Sequence, residues 1–357
     1  EHAGMVLKFF GATERGNYEG KNILHTGMPQ EQAAAQSGMQ PGQFEAIIGE
    51  ARKRLYEVRS HRAPPLRDEK ILTAWNGLMI SALARGAAVL DEPRYAKAAE
   101  TASRFLLREL RSGGRLLRSH LDGESGFPGY LNDYAFLIAG LIDLYETTFQ
   151  VEWLKEAIAL QESMDAHFRD RENGGYYQTS DDHETLLVRE KPDHDGAVPS
   201  GNSIAVLNLL RLHEFTTDEK YRQRAEEGFQ AFGNSLNRNP SQMAGMLLAL
   251  DFFLDQPKEI VIVTPNVSGE AAPFLARLRA QFLPNRILAV VPEGPILDAQ
   301  AAVIPLLKNK IAQKGKATAY VCENRTCSLP TNDPGIFAKQ IARVGAFPET
   351  GGEPPGD

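Results

Sequence analysis

The sequence predicts a mainly α-helical protein, built from helical hairpins arranged as an (α/α) toroid and followed by a small α/β unit. Two observations carry this prediction. Between about residues 43 and 256, helices that are apolar nearly all round alternate with amphipathic ones, and β-rich apolar runs follow residue 257. A helix apolar on every side is buried among neighbours, whereas a helix with one apolar stripe covers an outer layer. The alternation therefore indicates an inner and an outer ring of helices.

Three pairs of segments form this pattern. The predicted inner helices span 74–90, 131–149 and 201–215, and the predicted outer helices span 93–110, 151–169 and 218–236. Short connections lead outward, whereas the returning connections, 111–130 and 170–200, are long. Long loops in compact domains are usually functional, and these lead into the N-termini of inner helices. The sequence therefore places the working face at that end, where helix dipoles favour acidic side chains or anionic ligands.

The chain is expected to divide into three parts. Residues 1–257 are predicted to form a partial helical-hairpin toroid. Residues 258–346 contain the runs "EIVIVTP", "RILAVVP" and "ATAYVC" between amphipathic segments, which is typical of a small α/β unit. Residues 347–357, "FPETGGEPPGD", are predicted to be a flexible tail.

Composition narrows the class of protein. The net charge of −7, from 39 basic and 46 acidic residues, and the lack of a basic stripe argue against a nucleic-acid partner. No apolar run reaches the roughly 20 residues that span a bilayer, and no signal peptide is evident, so a cytoplasmic protein without a membrane partner is expected. No Walker loop, nucleophile elbow, dinucleotide fingerprint or metal-ligand spacing occurs, so neither cofactor nor metal is predicted.

Polar residues open each predicted inner helix, in the clusters Trp75-Asn76, Asn132-Asp133-Tyr134 and Ser200-Gly201-Asn202. Two interpretations stay open. Asn, Asp and Ser are favoured N-cap residues, so the clusters could simply cap the N-terminal ends of these helices. Alternatively they project into a funnel, where aromatic faces beside amide or carboxyl groups suit sugar rings. On that interpretation the substrate-binding candidates are Trp75, Asn76, Tyr134, His194 and Asn202.

Hydrolysis of a glycosidic bond requires two carboxyl groups, one on either side of the bond. Asp133 is the first candidate, because its position in the helix would orient it inward. Asp195, in the acid-rich loop "VREKPDHDGAVPSGNS", is the second, and Asp68 the third. A sugar epimerase would instead use an acid and a base, often histidines. His194 and His120 are candidates for that chemistry, although a lone histidine is more often structural.

The only two cysteines, Cys322 and Cys327, have the spacing C-x4-C. This spacing differs from the C-x-x-C of redox motifs, and two cysteines do not make a disulfide framework. A turn carrying two ordinary thiols is predicted, with a redox or metal role as the alternative.

Five motifs in order carry a family resemblance. They are "GNYEGKNIL" (16–24), "DEKILTAWNGLMISALA" (68–84), "YLNDYAFLIAGLIDLYE" (130–146), "REKPDHDGAVPSGNS" (189–203) and "AYVCENRTCSLPTNDP" (319–334). Together they resemble the C-terminal half of the thioredoxin-domain-containing, spermatogenesis-associated protein 20 family. The resemblance implies an N-terminal thioredoxin-like domain as a partner, followed by a barrel like those of six-hairpin glycosidases and N-acylglucosamine epimerases. Because this chain does not include that domain, the resemblance carries over no thioredoxin activity.

Two functions from different classes follow from these observations. The first is a carbohydrate-active or carbohydrate-binding toroid, glycoside hydrolase-like or sugar epimerase-like, with a small carbohydrate as ligand. The second is a non-catalytic scaffold that supports the thioredoxin-like domain or binds a partner. A deep cleft with two carboxyl groups about 5 to 10 Å apart would favour an enzyme. A filled funnel with capped, hydrogen-bonded acids would favour a scaffold.

Overall fold

The computed structural model describes residues 2–184, 186–324 and 326–342. It divides into two compact units, residues 1–69 and residues 70 onward. Within its described residues the first unit contains the helices α1 (Ala3–Phe9), α2 (Gln30–Gln36) and α3 (Pro41–Ser60). These helices bury a small core of their own, in which the rings of Phe9 and Phe44 pack edge to face with centroids 5.4 Å apart.

The second unit begins with a layer of helical hairpins. Its described helices in this layer are α4 (Thr73–Leu90), α5 (Pro93–Glu109), α6 (Leu131–Thr148), α7 (Val151–His167), α8 (Gly201–Thr216), α9 (Glu219–Arg238) and α10 (Ala244–Leu254). The inner helices α4, α6, α8 and α10 pack side by side in that order, and α5, α7 and α9 each pack on the inner helix before them. The predicted mainly-α arrangement of (α/α) hairpins is confirmed, with the bounds of all six predicted helices within two residues of those observed.

The backbones of α4 and α6 touch at two glycines. A Cβ atom on Gly77 would lie 2.6 Å from the backbone nitrogen of Leu137, and one on Gly140 would lie 2.7 Å from the carbonyl oxygen of Gly77. Since glycine alone has no Cβ, it permits this close approach of two helix backbones. The pair therefore fixes the distance between the first two inner helices.

A four-stranded antiparallel sheet lies in the connections around α4 and α6. Its strands are β1 (Ile71–Leu72), β2 (Arg111–Ser112), β3 (Arg115–Leu121) and β4 (Glu124–Pro128), and β3 pairs with the other three. The pairing of Leu72 with Ser119 brings the chain that enters α4 beside the hairpin that leads into α6. The returning connection 111–130 therefore forms an ordered sheet at the N-terminal ends of α4 and α6.

A mixed sheet with helices forms the C-terminal part, as the predicted α/β unit requires. It contains β5 (Lys258–Thr264), α11 (Ala272–Arg279), β6 (Arg286–Pro292), α12 (Pro295–Ala301), β7 (Thr318–Glu323), β8 (Thr326–Cys327) and α13 (Pro334–Ile341). The strand order is β6-β5-β7-β8, with β5 and β6 parallel and the other pairs antiparallel. Val261 and Val263 join the core of the helical layer, whereas Ile260 and Ile262 pack with residues of α11 and α13. The sheet is therefore covered on both faces.

The proposed part boundaries at residues 257 and 346 stay predictions. The helical layer and the sheet share one hydrophobic core within the second unit. The predicted tail, 347–357, and the last predicted residues of the α/β unit lie outside the described residues.

An ionic network centred on buried Asp143 joins α4, α6 and α8 away from the loop-rich end. Asp143 of α6 accepts from Arg211 of α8 at 2.7 Å and from Arg85 of α4 at 2.8 Å. One turn later on α6, Glu146 accepts the backbone N–H of Leu288 of β6 at 3.0 Å. Both the helix-to-helix and the helix-to-sheet contacts of α6 therefore depend on charged side chains.

The two cysteines correct one prediction. Cys322 of β7 and Cys327 of β8 are directly opposite in the strand register and form a disulfide. The expectation of two ordinary thiols is wrong, because the turn between the strands brings both side chains to the same face of the hairpin.

Among the described residues, no helix combines the length and the apolar character that a membrane crossing requires.

Candidate functional site

The N-termini of α4, α6 and α8 meet at the loop-rich end of the helical layer. The backbone N–H of Leu131, at the start of α6, donates to the carbonyl oxygen of Gln178 in the long connection at 3.0 Å. A Cβ atom on Gly201, at the start of α8, would lie only 2.4 Å from Oδ1 of Asn132. The polar clusters that open α6 and α8 are therefore in direct contact.

Asp133 caps two helices at once. It is 1% exposed, its Oδ1 accepts the N–H of Ala74 in the first turn of α4 at 2.9 Å, and its Oδ2 accepts the N–H of Tyr130 at the N-cap of α6 at 2.8 Å. Burial raises the pKa of Asp133 to about 6, although these two N–H groups and the charge of Arg118 oppose the rise. The side chain therefore joins α4 to α6 and holds a proton more tightly than an ordinary aspartate.

The raised pKa of Asp133 predicts a measurable pH dependence of stability. Because the folded-state pKa of about 6 lies above the ordinary aspartate value of 3.8, the folded protein binds this proton more tightly, and the contribution of Asp133 to the free energy of unfolding falls as pH rises through that interval. The full loss is ~3 kcal/mol, at about 1.4 kcal/mol per pKa unit, and roughly 2 kcal/mol of it falls between pH 4.5 and pH 7.5. Urea unfolding of the wild type and of Asp133→Asn near pH 4.5 and near pH 7.5 measures it.

The asparagine variant mimics the protonated acid at every pH, and the contributions of other carboxyl groups cancel in the difference between the two proteins. The wild type should therefore lose stability relative to Asp133→Asn on going to the higher pH. A difference that stays constant across this range would show that the pKa of Asp133 is not raised.

Asp195 repeats the arrangement one helix pair further on. Its Oδ1 accepts the N–H of Ser200, the N-cap of α8, at 2.8 Å, and its Oδ2 accepts the N–H of Gly245 in the first turn of α10 at 2.6 Å. The side chain is half-buried. The carboxyl groups of the two predicted catalytic acids are thus both engaged by backbone N–H groups of neighbouring inner helices, and their catalytic roles stay predictions.

Asn202 and Tyr134 lie in the core, although both were expected on the rim of a funnel. Asn202 is buried, with Oδ1 accepting the N–H of Tyr176 at 2.8 Å and Nδ2 donating to the carbonyl oxygens of Tyr176 and Pro192, each at 2.9 Å. Tyr134 is fully buried, and its hydroxyl accepts the N–H of Leu116 at 2.9 Å. Neither presents a free surface to a ligand, and Asn202 instead anchors the long connection.

Three other candidates have local partners. Half-buried Asn76 donates from Nδ2 to the carbonyl oxygen of Leu72 at 2.9 Å, four residues earlier. His194 is exposed and hydrogen-bonds the carboxylate of Asp193. His120 hydrogen-bonds the serine opposite it on β4 at 2.9 Å. The third acid candidate, Asp68, belongs to the first unit.

A small cavity of about 100 Å³ opens beside Asp133, and we call it the Trp75 cavity. Its lining comes from β1, α4, β3, α6 and the long connection: Leu72, Ala74, Trp75, Arg118, Asn132, Asp133, Phe136 and Val198. Trp75 is 65% exposed, and the guanidinium of Arg118 lies 4.6 Å from the ring centre of Tyr130. An aromatic residue, an arginine and an asparagine therefore line one cavity with a protonatable acid.

Sequence reasoning missed the other two polar residues of this cavity, Arg118 and Asn132. Arg118 lies in β3, within a connection that the sequence shows only as strand-like, so its neighbours could not be identified in advance. Asn132 stands in a recognised cluster, but capping explained it equally well. Among the described residues, Oδ1 of Asn132 is buried without a hydrogen-bond partner. The run "RLLRSHL" offers no signal for Arg118, since its polar and apolar residues do not alternate as they would on a strand with one buried face.

One group of possible metal ligands occurs in the described part of the chain. Atoms of His167, Asp181 and Asp182 lie within 4.8 Å of one another. The Nδ1 of His167 already contacts Asp181 at 2.9 Å, and Arg115 holds Asp182 through two contacts of 2.9 and 3.0 Å. Because these groups neutralise or bond one another, the arrangement favours an ion-pair cluster.

The fold and the site together define a class: a protein of (α/α) hairpins with a small polar and aromatic cavity at the N-terminal ends of its inner helices. Among solved structures, it is similar to a family 105 glycoside hydrolase of C. acetobutylicum (13% identity, TM-score 0.40, 57% of this chain and 60% of that chain). It is also similar to cellobiose 2-epimerase from Bacillus thermoamylovorans (18% identity, TM-score 0.39, 46% and 45%). These likenesses concern fold alone.

Sequence comparison is more specific. No protein-family model matches the chain. Spermatogenesis-associated protein 20 of Homo sapiens is 33% identical over 358 residues, which cover 94% of this chain and 45% of the human protein, and the protein of that name in Rattus norvegicus is 32% identical with the same coverage. The chain therefore belongs to the spermatogenesis-associated protein 20 family over the region that it spans, about half the length of these relatives.

Proposed function

We propose that the second unit is a carbohydrate-binding region and that the Trp75 cavity is its ligand site. The observation that carries the proposal is that exposed Trp75 lines one cavity together with Arg118, Asn132 and buried Asp133. Large exposed aromatic side chains next to fixed polar groups are typical of binding sites, in which the apolar surface supplies affinity and the polar groups fix orientation.

The aromatic and polar side chains at the cavity have distinct parts in this proposal. The indole of Trp75 stacks on the C–H face of a pyranose ring, and Arg118 and Asn132 hydrogen-bond its hydroxyl groups. Asp133 and Asp195 hold the inner helices in register from below, through the N–H groups that they accept. A cavity of about 100 Å³ suits one small ring or the end of a chain, and a long oligosaccharide would extend over the surface.

Catalysis at the same cavity is the second candidate, and the pKa of Asp133 favours it. A carboxyl group with a pKa of about 6 retains a proton close to neutral pH and can serve as a general acid. Glycoside hydrolase-like and sugar epimerase-like reactions both need such a donor. If catalysis occurs, Asp133→Asn abolishes turnover of a disaccharide while its binding at Trp75 persists.

A scaffold function, supporting a thioredoxin-like domain of the longer relatives, is the third candidate. The carboxyl groups of Asp133 and Asp195 favour it, since both already accept hydrogen bonds from backbone N–H groups at the helix ends. A scaffold of this kind would show no binding of carbohydrate at the Trp75 cavity.

Substitution of Trp75 tests the leading proposal. Trp75→Ala should weaken the affinity for the tightest-binding sugar of a pyranose mono- and disaccharide panel roughly 10-fold, because stacking on an indole contributes about 1 kcal/mol or more. Isothermal calorimetry measures the affinity. Met79→Ala is the matched control: Met79 is 56% exposed on the same helix, four residues further on, and lies outside the cavity.

The control should bind like the wild type, and both variants should unfold like it, since neither side chain belongs to the core. Equal affinities of the wild type and Trp75→Ala for every sugar that binds would place the ligand elsewhere.

A further inference from the structure

The disulfide between Cys322 and Cys327 joins a buried residue to an exposed one. Cys322 is fully buried in β7, whereas Cys327 is exposed in β8, the two-residue strand at the edge of the sheet. A thiolate exchanges with a disulfide by attacking one of its sulfurs, and access decides which one. An external thiol can therefore reach Cys327 but not Cys322.

The hairpin has other interactions that hold it together. Glu323 pairs with Thr326 next to the turn, and the N–H of Ser328 donates to the carbonyl oxygen of Val321 at 2.9 Å on the far side of the disulfide. The disulfide links residues only five apart, and so short a loop restrains the unfolded chain little. Opening the disulfide is therefore expected to leave the sheet folded, as a reversible reaction requires.

The face of the sheet around Cys322 carries a cation. Tyr320, two residues earlier on β7, shares this face, and the amino group of Lys310 lies 5.4 Å from the centre of its ring. Glu259 of β5 is the cross-strand partner of Cys322 on its other side. Lys310 and Glu259 interact electrostatically, so opposite charges lie near this face and the choice of the attacked sulfur rests on access.

We propose that Cys322 and Cys327 are a redox-active pair that exchanges with an external dithiol through Cys327. The first thiolate of the dithiol bonds to Sγ of Cys327, the bond between the two cysteine sulfurs breaks, and its electron pair leaves on Cys322, which takes up a proton. The second thiol then attacks the mixed disulfide, closes the dithiol into its own disulfide and releases Cys327. Two electrons and two protons pass to the protein.

Trapping with glutathione tests which sulfur reacts. The folded, oxidised chain is incubated with reduced glutathione in the absence of denaturant, quenched in acid and analysed by peptide mass spectrometry. Adducts on Cys327 should exceed those on Cys322 by more than ~10-fold, because access selects the sulfur attacked. Equal adducts on both cysteines would overturn the proposal.

Single variants separate reactivity from folding. Incubated with oxidised glutathione, Cys322→Ser should form the mixed disulfide at Cys327, whereas Cys327→Ser should leave buried Cys322 unmodified until urea unfolds the chain. Circular dichroism verifies that both variants are folded. Resistance of the wild-type disulfide to dithiothreitol in the folded state, or recovery of both cysteines as free thiols from protein prepared in air, would also contradict the proposal.

Discussion

Gly77→Ala is expected to lower the free energy of unfolding by ~3 kcal/mol or more, since overpacking against a backbone that cannot move aside exceeds the usual cost of an added methyl group. The new Cβ would lie 2.6 Å from both the nitrogen of Leu137 and the carbonyl carbon of Phe136. To admit it, α4 and α6 would have to separate, and the contact with Asp133 at their N-termini would be disturbed. Chemical denaturation measures the loss.

Gly86→Ala on the same helix is the control. Its Cβ would meet only the ring of Tyr95, at 3.8 Å, which is an ordinary contact. Alanine has the higher helix propensity, so this variant should gain about 0.5–1 kcal/mol. Opposite signs for two identical substitutions in α4 would establish the backbone contact, whereas equal effects would contradict it.

Asp143→Asn is expected to cost about 3–5 kcal/mol, because removing one partner of a buried ion pair leaves the other charge uncompensated. The side chains of Asp143 and Arg211 are 3% and 6% exposed, and their contact is 2.7 Å. Burial alone would raise the pKa of Asp143, but Arg211 and Arg85 hold it below its ordinary value. The carboxylate is therefore charged at neutral pH, and its loss should be seen in urea unfolding.

Glu152→Gln supplies the matched change on the surface. Glu152 contacts Arg104 at 2.6 Å, but both side chains are about half exposed. Exposed ion pairs contribute about 0–1 kcal/mol, so this variant should remain close to the wild type. If the two acid-to-amide substitutions had equal effects, the network around Asp143 would not hold α4, α6 and α8 together.

The helical layer could be predicted from the sequence because its periodicity is strong. Inner helices such as α6 read as apolar on every side, and their bounds follow from the polar residues at each start. The helices α1 and α2 of the first unit were not predicted, since each has only seven residues and too few apolar positions to show a period. The disulfide was missed because the spacing C-x4-C does not show that the two cysteines lie opposite each other on the strands of a hairpin.

The site could be predicted in part. Its location at the N-terminal ends of the inner helices follows from loop lengths alone. The direction of each side chain cannot be predicted in this way. Tyr134, beside Asp133 in sequence, points into the core, whereas Trp75 faces solvent. Capping and ligand binding select the same residue types, so Asp133, Asp195 and Asn202 could not be assigned without their hydrogen-bond partners. Arg118 comes from a strand that the helical pattern does not show.

The central claim is that a carbohydrate binds over Trp75, and the indole N–H signals test it most directly. The chain has two tryptophans, exposed Trp75 and buried Trp153, so a ¹⁵N-labelled sample gives one reporter at the cavity and one in the core. Titration with the pyranose panel should shift the Trp75 signal in a saturable way and leave Trp153 unchanged. A Trp75 signal that stays fixed while a sugar binds, or that no sugar of the panel moves, would contradict the claim.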